Sequence, residues 1–249
     1  MNDCLIGFTG FVGSTLLNQR PFANLYRSNN INEIKGKSFD RVYCAGASAK
    51  KWLANKEPEE DLKSINLLLN CLSEVQAKQF ILFSTIDVFK APYNVDELSL
   101  IDDQGLHHYG KNRYLIEKFV EKNFKTHLII RLPGLVGKGL KKNAIFDLKH
   151  NNNLNQIDSR GVFQFYPMQN LDTDVEKALS QNLKKIHLTS QPISIEKIAM
   201  ECFGLDFKNH ILETPPNYNM KTIHSLHGGM DYTYNEDFIL KSIRDYASS

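Results

Sequence analysis

The sequence predicts an α/β protein in which helices cover both faces of a doubly wound parallel sheet. Short apolar runs recur near 3–8, 40–45, 79–85 and 126–132, with a weaker run at 24–28, and helix-like patterns separate them. Buried parallel strands have such continuous apolar runs, and their alternation with helices implies a parallel sheet. Ligands bind beyond the carboxyl ends of the strands in such a sheet, so the residues that follow each run are candidate site residues.

The intervening helices are predicted from apolar residues at three- and four-residue spacing. In segment 57–75, Ile65, Leu68 and Leu72 recur on one helix face. Segments 11–19 and 105–124 are the other predicted helices of this part of the chain.

Composition limits the classes of function. The chain has 249 residues, 42% of them hydrophobic, and 30 basic against 28 acidic residues give a net charge of +2. This balance provides no general attraction to nucleic acid or to a membrane, so neither is an expected partner. Four cysteines without C-x-x-C spacing, no signal-type leader and no long apolar run predict a cytoplasmic protein. The histidines form no metal-binding array, so no metal is expected.

Three glycines, Gly7, Gly10 and Gly13, join the first apolar run to the first helix as G-x-x-G-x-x-G. In a dinucleotide site the first allows a tight turn, the second lets backbone approach a pyrophosphate, and the third lets the helix pack on the strand. The helix begins at Phe11 and Val12, and its N-terminus would face the anion. The motif predicts a Rossmann-like dinucleotide-binding fold, and the plainer alternative is a glycine-rich turn.

The regular alternation fades after Gly134 into a Lys/Asn-rich stretch. We therefore expect a dinucleotide-binding domain over 1–134 and a small, discontinuous substrate-binding lobe over 135–249. Some segments of that lobe are expected to return to the core.

The ends of the second and third strands bear on the cofactor. Arg27 and Ser28 stand where a carboxylate would bind a free ribose hydroxyl, and an arginine beside a serine suits a 2′-phosphate. NADP(H) is therefore favoured, NAD(H) remains open, and the alternative is an ordinary surface arginine. After the third strand, Ala45, Gly46 and Ala47 are small enough to admit a cofactor, or else form a simple turn.

Three further segments contain sequence motifs that accompany the glycine loop. Residues 84–89 read S-T-I-D-V-F, Tyr109-Gly110 is followed by Arg113 and Glu117, and residues 131–137 read R-L-P-G-L-V-G. With the glycine loop, these segments resemble extended or atypical short-chain dehydrogenases/reductases, and within that group nucleotide-sugar epimerases and ketoreductases. The resemblance covers roughly residues 3–205.

The resemblance implies a catalytic set of Thr85, Tyr109 and Arg113. Tyr109 would donate a proton to the carbonyl oxygen and Thr85 a second hydrogen bond. Strand alternation points Ser84 to the opposite face, so Thr85 is preferred. Arg113 replaces the family's lysine, which holds the nicotinamide ribose and lowers the tyrosine pKa. A reductase needs a neutral tyrosine, so this replacement favours reduction.

A competing register exists, because Tyr114 and Lys118 are themselves a literal Y-x-x-x-K. Tyr109 is preferred because Gly110 and Glu117 fit the wider pattern.

The resemblance also implies residues that line the nicotinamide or the substrate. Pro133 and Gly134 are expected beside the nicotinamide, although a Pro-Gly pair also simply ends a strand. The candidate substrate residues are Asp87, Lys138, Lys142, Asn143 and Arg160. The plainer interpretation of the lysine-rich loop is solvated surface.

The predicted function is that of an NADP(H)-dependent ketoreductase acting on a nucleotide-activated keto-deoxysugar. The alternatives are an NAD(P)-dependent nucleotide-sugar epimerase and a non-catalytic NADP(H)-binding sensor. The resembling family is usually homodimeric through helices such as 57–75 and 105–124, so a homodimer is an expectation as well.

Overall fold

The structure is a computed structural model that describes residues 2–249. Strands and helices alternate through most of the chain. In chain order they are β1 (Cys4–Ile6), α1 (Phe11–Gln19), β2 (Asn24–Tyr26), β3 (Ser38–Cys44), α2 (Lys51–Lys56), α3 (Pro58–Leu72), β4 (Gln76–Thr85), β5 (Tyr93–Val95), α4 (His108–Asn123), β6 (His127–Leu132), β7 (Gly134–Val136), α5 (Ala144–His150), β8 (Val162–Phe163), β9 (Phe165–Pro167), α6 (Leu171–Ser180), β10 (Lys185–His187), β11 (Ile193–Ser194), α7 (Ile195–Phe203), β12 (Asn219–Met220) and α8 (Glu236–Ala247).

The chain forms two compact units. The first contains the chain up to Lys90, Leu100–Arg131 and Leu171–Ile186. The second contains Ala91–Ser99, Leu132–Asn170 and His187–Ser249.

The sheet of the first unit has the strand order β10-β6-β4-β3-β1-β2. Strand β1 pairs in parallel with both β2 and β3, and β3 pairs in parallel with β4. Because β1 lies between the two strands that follow it, the winding direction reverses there. Such a reversal opens a crevice at the carboxyl ends of the strands, which is the usual ligand position. The predicted α/β fold with a parallel sheet is confirmed.

Strand alternation gives the sheet two buried faces. Cys4, Ile6 and Val42 lie in one core cluster with Ile65 of α3 and Ile116 of α4. The intervening side chains point to the opposite face, where Tyr43 of β3 meets Arg20 at the end of α1. Helices α1 and α6 pack together on that side. The central stretches Val42–Cys44 of β3 and Phe80–Phe83 of β4 are therefore apolar and buried, as the sequence predicted for a sheet covered on both sides.

The turn between β1 and α1 requires glycine for internal reasons. Gly7 has φ +85°, and a Cβ there would lie 2.2 Å from the carbonyl oxygen of Ala45. A Cβ on Gly13 would lie 2.1 Å from the carbonyl oxygen of Gly7. The first turn of α1 is thereby held against the end of β3, at the switch point of the sheet.

The second unit is built from short pieces. Its two-stranded sheets pair β7 with β9, β8 with β11 and β5 with β12, and α7 packs on α8. Across the described residues, none of the helices combines the length and the apolar character needed to span a bilayer.

Candidate active site

Thr85 is the last residue of β4 and begins a 3-10 turn at Ile86–Val88. The Asp87 amide donates to the Thr85 hydroxyl oxygen at 3.1 Å, and the Thr85 hydroxyl faces the Asp87 carboxylate at 3.4 Å. The turn therefore holds the hydroxyl at the carboxyl end of a central strand, where ligands bind in parallel sheets.

Ser84 has a different role from its neighbour. It is buried and donates to Glu117 of α4 at 2.5 Å. Glu117 also forms a fully buried ion pair with Arg131 of β6, with an Arg131 Nη2 to Glu117 Oε2 distance of 2.6 Å. This bonded group ties α4 to β4 and β6. Ser84 thus anchors the helix that carries Tyr109.

Tyr109 lies in the first turn of α4 and is 8% exposed. Its backbone amide donates to the Asn55 side chain of α2 at 2.9 Å. A Cβ on Gly110 would lie 2.1 Å from the carbonyl oxygen of Asp87, so only glycine lets α4 start this close to the turn after β4. Tyr109 and Thr85 are brought together by these contacts.

The environment of Tyr109 favours the neutral phenol. Burial raises the pKa of Tyr109 above its ordinary value of 10.0, and Asp87 raises it further. Three groups lower the pKa of Tyr109: the charge of Arg113, a hydrogen bond with Thr85 and the charge of Lys51. The balance leaves the pKa raised, so Tyr109 carries its proton at neutral pH.

Arg113 is 3% exposed, and its guanidinium lies 4.1 Å from the centre of the Tyr109 ring. It donates to the Asp61 carboxylate of α3 and to the carbonyl oxygen of Ser48. Asn112 donates to the same carboxylate at 2.8 Å. The Nε of Arg113 is buried and has no hydrogen-bond partner within residues 2–249. Both terminal nitrogens of Arg113 therefore bond to the protein itself, and within these residues Nε does not.

Two further side chains surround Asp87, and sequence reasoning assigned neither of them a role. The Lys51 ammonium, at the start of α2, donates to Asp87 Oδ1 at 2.7 Å. The His107 Nδ1 accepts from the Gly110 amide at 2.9 Å and caps α4. Burial lowers the pKa of His107, Lys51 lowers it further, and Asp87 opposes them. The only sequence signal for Lys51 is that it follows the end of a central strand.

The competing pair lies elsewhere on α4. Lys118 is exposed, with its ammonium 4.5 Å from the centre of the Tyr114 ring, and it pairs with Asp103 at 3.1 Å.

The glycine loop fits a dinucleotide. Gly10 precedes α1 and a Cβ there would meet only the Gly7 carbonyl oxygen, at 3.4 Å, so internal packing does not explain the second glycine. The first amides of α1, at Phe11 and Val12, have no partner inside the helix. Together with the unpaired Nε of Arg113, these features supply donors and room for a phosphate and a ribose.

The remaining candidate cofactor residues of the first unit follow β2 and β3. Arg27 and Ser28 are exposed directly after β2, and the Arg27 guanidinium lies 5.9 Å from the Phe8 ring centre. Ala45, Gly46 and Ala47 follow β3, and a Cβ on Gly46 would lie 2.9 Å from the Ile6 side chain.

The other predicted residues belong to the second unit. Pro133 is buried, and Gly134 begins β7, where a Cβ would lie 2.8 Å from the Phe165 ring. Asn143 caps α5 by accepting from the Ile145 and Phe146 amides. Packing and capping therefore account for Gly134 and Asn143 without a ligand.

The predicted cations of this unit are one arginine and two lysines. Arg160 donates to both carboxylate oxygens of Asp158, at 3.0 and 2.8 Å, and to the Leu212 carbonyl. Lys138 and Lys142 are exposed. Within the described part of the chain, no group of three or more His, Cys, Asp or Glu side chains could hold a metal ion.

Comparisons with known proteins identify the fold. No family model and no curated protein sequence matches the chain. Among solved structures, dTDP-4-dehydrorhamnose reductase from Yersinia enterocolitica matches with a TM-score of 0.72 and 15% identity, over 100% of this chain and 99% of that one. UDP-glucose 4-epimerase from Thermotoga maritima, solved with UDP-glucose, matches at 0.69 and 14%, over 100% and 98%.

A third similar structure is RMD from Pseudomonas aeruginosa complexed with NADPH, with a TM-score of 0.68 and 17% identity over 100% of this chain and 98% of that one. Another of the similar structures contains NAD. At these identities the likeness concerns the fold. The chain has a Rossmann-like fold, shared with this dTDP-4-dehydrorhamnose reductase and this UDP-glucose 4-epimerase.

Proposed function

We propose that the protein is an NADP(H)-dependent reductase that acts on the keto group of a nucleotide-activated deoxysugar. The observation that carries this proposal is the pairing of Tyr109 and Thr85 at the carboxyl ends of the sheet, on the edge that also carries the glycine loop. A binding module has no need of two hydroxyls from separate segments that meet at one place.

Each hydroxyl has a defined task in carbonyl reduction. Bound NADPH would supply the hydride that the carbonyl carbon accepts. Tyr109 donates its proton to the carbonyl oxygen, and Thr85 donates a hydrogen bond to the same oxygen as its charge develops. The raised pKa of Tyr109 keeps the phenol protonated, which is the form that a reductase needs.

The cofactor would be held by the glycine loop and by Arg113. The first amides of α1 and the backbone at Gly10 bind the pyrophosphate, and the unpaired Nε of Arg113 lies buried beside the Tyr109 ring. Arg27 and Ser28, both exposed after β2, bind the 2′-phosphate that distinguishes NADPH from NADH. Ala45, Gly46 and Ala47 leave room beside the loop.

The substrate class follows from the similar structures and from the second unit. The structural neighbours include an enzyme named for a dTDP-sugar and one solved with UDP-glucose. We infer that the second unit binds the sugar nucleotide, with the exposed Lys138 and Lys142 as candidate contacts for its diphosphate. Asp87 would lie near the reacting carbon.

The test is a stoichiometric assay with purified protein, NADPH and dTDP-4-dehydrorhamnose, with other nucleotide-linked keto-deoxysugars as further substrates. The reductase is expected to consume one NADPH for each alcohol formed. Conversion of UDP-glucose to UDP-galactose with no net change in nicotinamide absorbance would instead identify an epimerase. Thermal stabilisation by NADPH without turnover of any sugar would identify a binding protein.

A further inference from the structure

Arg113, the cation four residues after Tyr109, is bonded to other groups of the protein. Arg113 donates to Asp61 and to the Ser48 carbonyl, and Asp61 is itself only 7% exposed in its side chain. The charge of Arg113 is therefore balanced by a buried carboxylate. Asp87, the carboxylate that acts on Tyr109, is paired with a different cation.

A second cation reaches the site from α2. The Lys51 ammonium donates to Asp87 Oδ1 at 2.7 Å, while the other Asp87 oxygen lies 3.4 Å from the Thr85 hydroxyl. Helix α2 is held against α4, because the Asn55 side chain accepts from the Tyr109 amide. Lys51, Asp87, Thr85 and Tyr109 therefore form one continuous group on one face of the first unit.

Asp87 creates an electrostatic problem that Lys51 solves. A carboxylate beside the two hydroxyls opposes the negative charge that develops on a carbonyl oxygen during reduction. A directly bonded ammonium neutralises that carboxylate and leaves the two hydroxyls as the groups that face the oxygen. Lys51 is 40% exposed in its side chain, so it keeps contact with solvent while bonded to Asp87.

We propose that Lys51 is a positioning residue of the reductase site, which neutralises Asp87 beside the Tyr109–Thr85 pair. This inference rests on the proposed function. The charged and titratable groups that act on Tyr109 are Arg113 from its own helix, Asp87 from the turn after β4 and Lys51 from α2.

His107 offers a readout that needs neither cofactor nor activity. The pKa of His107 is lowered by burial and by Lys51, and raised by Asp87. In Lys51→Met the repulsion is lost, so we expect the pKa of His107 to rise. Proton NMR titration measures the pKa in the cofactor-free protein, with the resonance assigned through His107→Gln.

The second experiment measures activity in a double-mutant cycle with a matched control variant. We expect Lys51→Met to lower kcat about tenfold, with the Kd for NADPH within threefold of wild type. Lys51→Arg should retain at least half of the activity, and Lys51→Met combined with Asp87→Asn should recover most of what Lys51→Met loses. Lys56→Met removes the same charge from the exposed end of the same helix and should change neither readout.

The outcomes separate this inference from the proposed function. Wild-type protein without turnover on any nucleotide sugar would refute the reductase, and the His107 titration would still show whether Lys51 acts on this site. Turnover in wild type with equal kcat and equal His107 pKa in Lys51→Met would overturn the role of Lys51. Failure of the double variant to recover activity would refute the neutralisation of Asp87.

Discussion

Two tyrosines of the first unit are surrounded by similar groups and yet differ in what they can do. Tyr43 lies under the Arg20 guanidinium at 4.9 Å from the ring centre, and Tyr109 lies under Arg113 at 4.1 Å. Each has a carboxylate nearby, Glu176 for Tyr43 and Asp87 for Tyr109. Burial raises the pKa of both phenols.

The two tyrosines differ in the hydrogen-bond partners of their hydroxyl groups. The Tyr43 hydroxyl accepts from Arg20 at 2.7 Å and donates to Glu176 at 3.1 Å, and Arg41 also donates to Glu176 at 2.7 Å. Within residues 2–249 the Tyr109 hydroxyl is paired with Thr85, and the Thr85 hydroxyl also faces Asp87. The Tyr43 hydroxyl is therefore held between a cation and a carboxylate, whereas the Tyr109 hydroxyl is paired with another hydroxyl.

The comparison teaches that a cation over a tyrosine ring does not by itself make an active site. The Tyr43 network fastens α1 and α6 to the sheet, because Arg20 and Tyr43 both bond to Glu176 of α6 and to each other. The Tyr109 group lies at the carboxyl ends of the strands and includes a cation that is partly exposed. Breaking the first network should cost stability, and breaking the second should cost activity.

The largest expected effect is on stability. Arg20→Met leaves the buried Asp3 carboxylate without its ion pair and also breaks the ion pairs of Arg20 with Asp172 and Glu176 of α6. We expect a loss of about 3 kcal/mol in the free energy of unfolding, measured by urea denaturation, with activity per folded molecule unchanged. Lys78→Met, which breaks an exposed pair with Asp40, should cost far less stability, because solvent screens that pair. Equal losses in the two variants would contradict the contrast.

The next effect compares neighbouring hydroxyls. Thr85→Val should lower kcat/KM about 100-fold, or about 2.7 kcal/mol, because a donor to the developing oxyanion is lost. Ser84→Ala should stay within about threefold in activity and cost about 1 to 2 kcal/mol in unfolding free energy, because it removes the bond to Glu117. Steady-state kinetics measure the activity of the two variants, and urea denaturation measures their stability. If Ser84→Ala lost activity while Thr85→Val lost only stability, the contact with the carbonyl oxygen would be assigned to Ser84.

A smaller effect concerns the choice of cofactor. Arg27→Gln removes the cation expected at the 2′-phosphate and should weaken NADPH binding about tenfold or more. NADH binding should stay within about twofold, which serves as the internal control. Isothermal titration calorimetry measures both constants, and an unchanged NADPH-to-NADH ratio would make Arg27 a surface residue.

The smallest effect is the absence of a pH dependence below the tyrosine pKa. Because the pKa of Tyr109 is raised above 10.0, reduction should be flat in log kcat between about pH 7 and 9.5 and should fall at higher pH as the phenol loses its proton. The raised pKa of Tyr109 also affects folding stability. It favours the folded protein below pH 10, and this stabilisation is lost as the pH rises above 10 and the tyrosine of the unfolded chain loses its proton. Tyr43→Phe should leave the rate profile unchanged. A rate that rises with pH from 7 to 9 would indicate a phenolate mechanism.

The sequence was informative where a pattern is local. Apolar runs predicted β1, β3, β4 and β6, and helical spacing predicted α1 with the bounds that the structure shows. The alternation that turns Ser84 away from Thr85 is equally local. These properties depend only on neighbouring residues, so one sequence is enough to read them.

The rest depends on contacts between distant segments. Asp61, an acid in the first turn of α3, binds Arg113 from 52 positions away. Lys51 and Asp87 are 36 positions apart, and no spacing rule connects them. The segment Leu171–Ile186 lies in the first unit although it follows 39 residues of the second, Leu132–Asn170. Such pairings require the fold.

The central claim is that Tyr109 donates a proton at a nicotinamide site, and the most direct test compares turnover with cofactor binding in Tyr109→Phe. We expect kcat to fall by about 10²- to 10⁴-fold while the Kd for NADPH stays within about threefold of wild type. Tyr114→Phe should keep nearly full activity. Full activity in Tyr109→Phe together with loss in Tyr114→Phe would contradict the account.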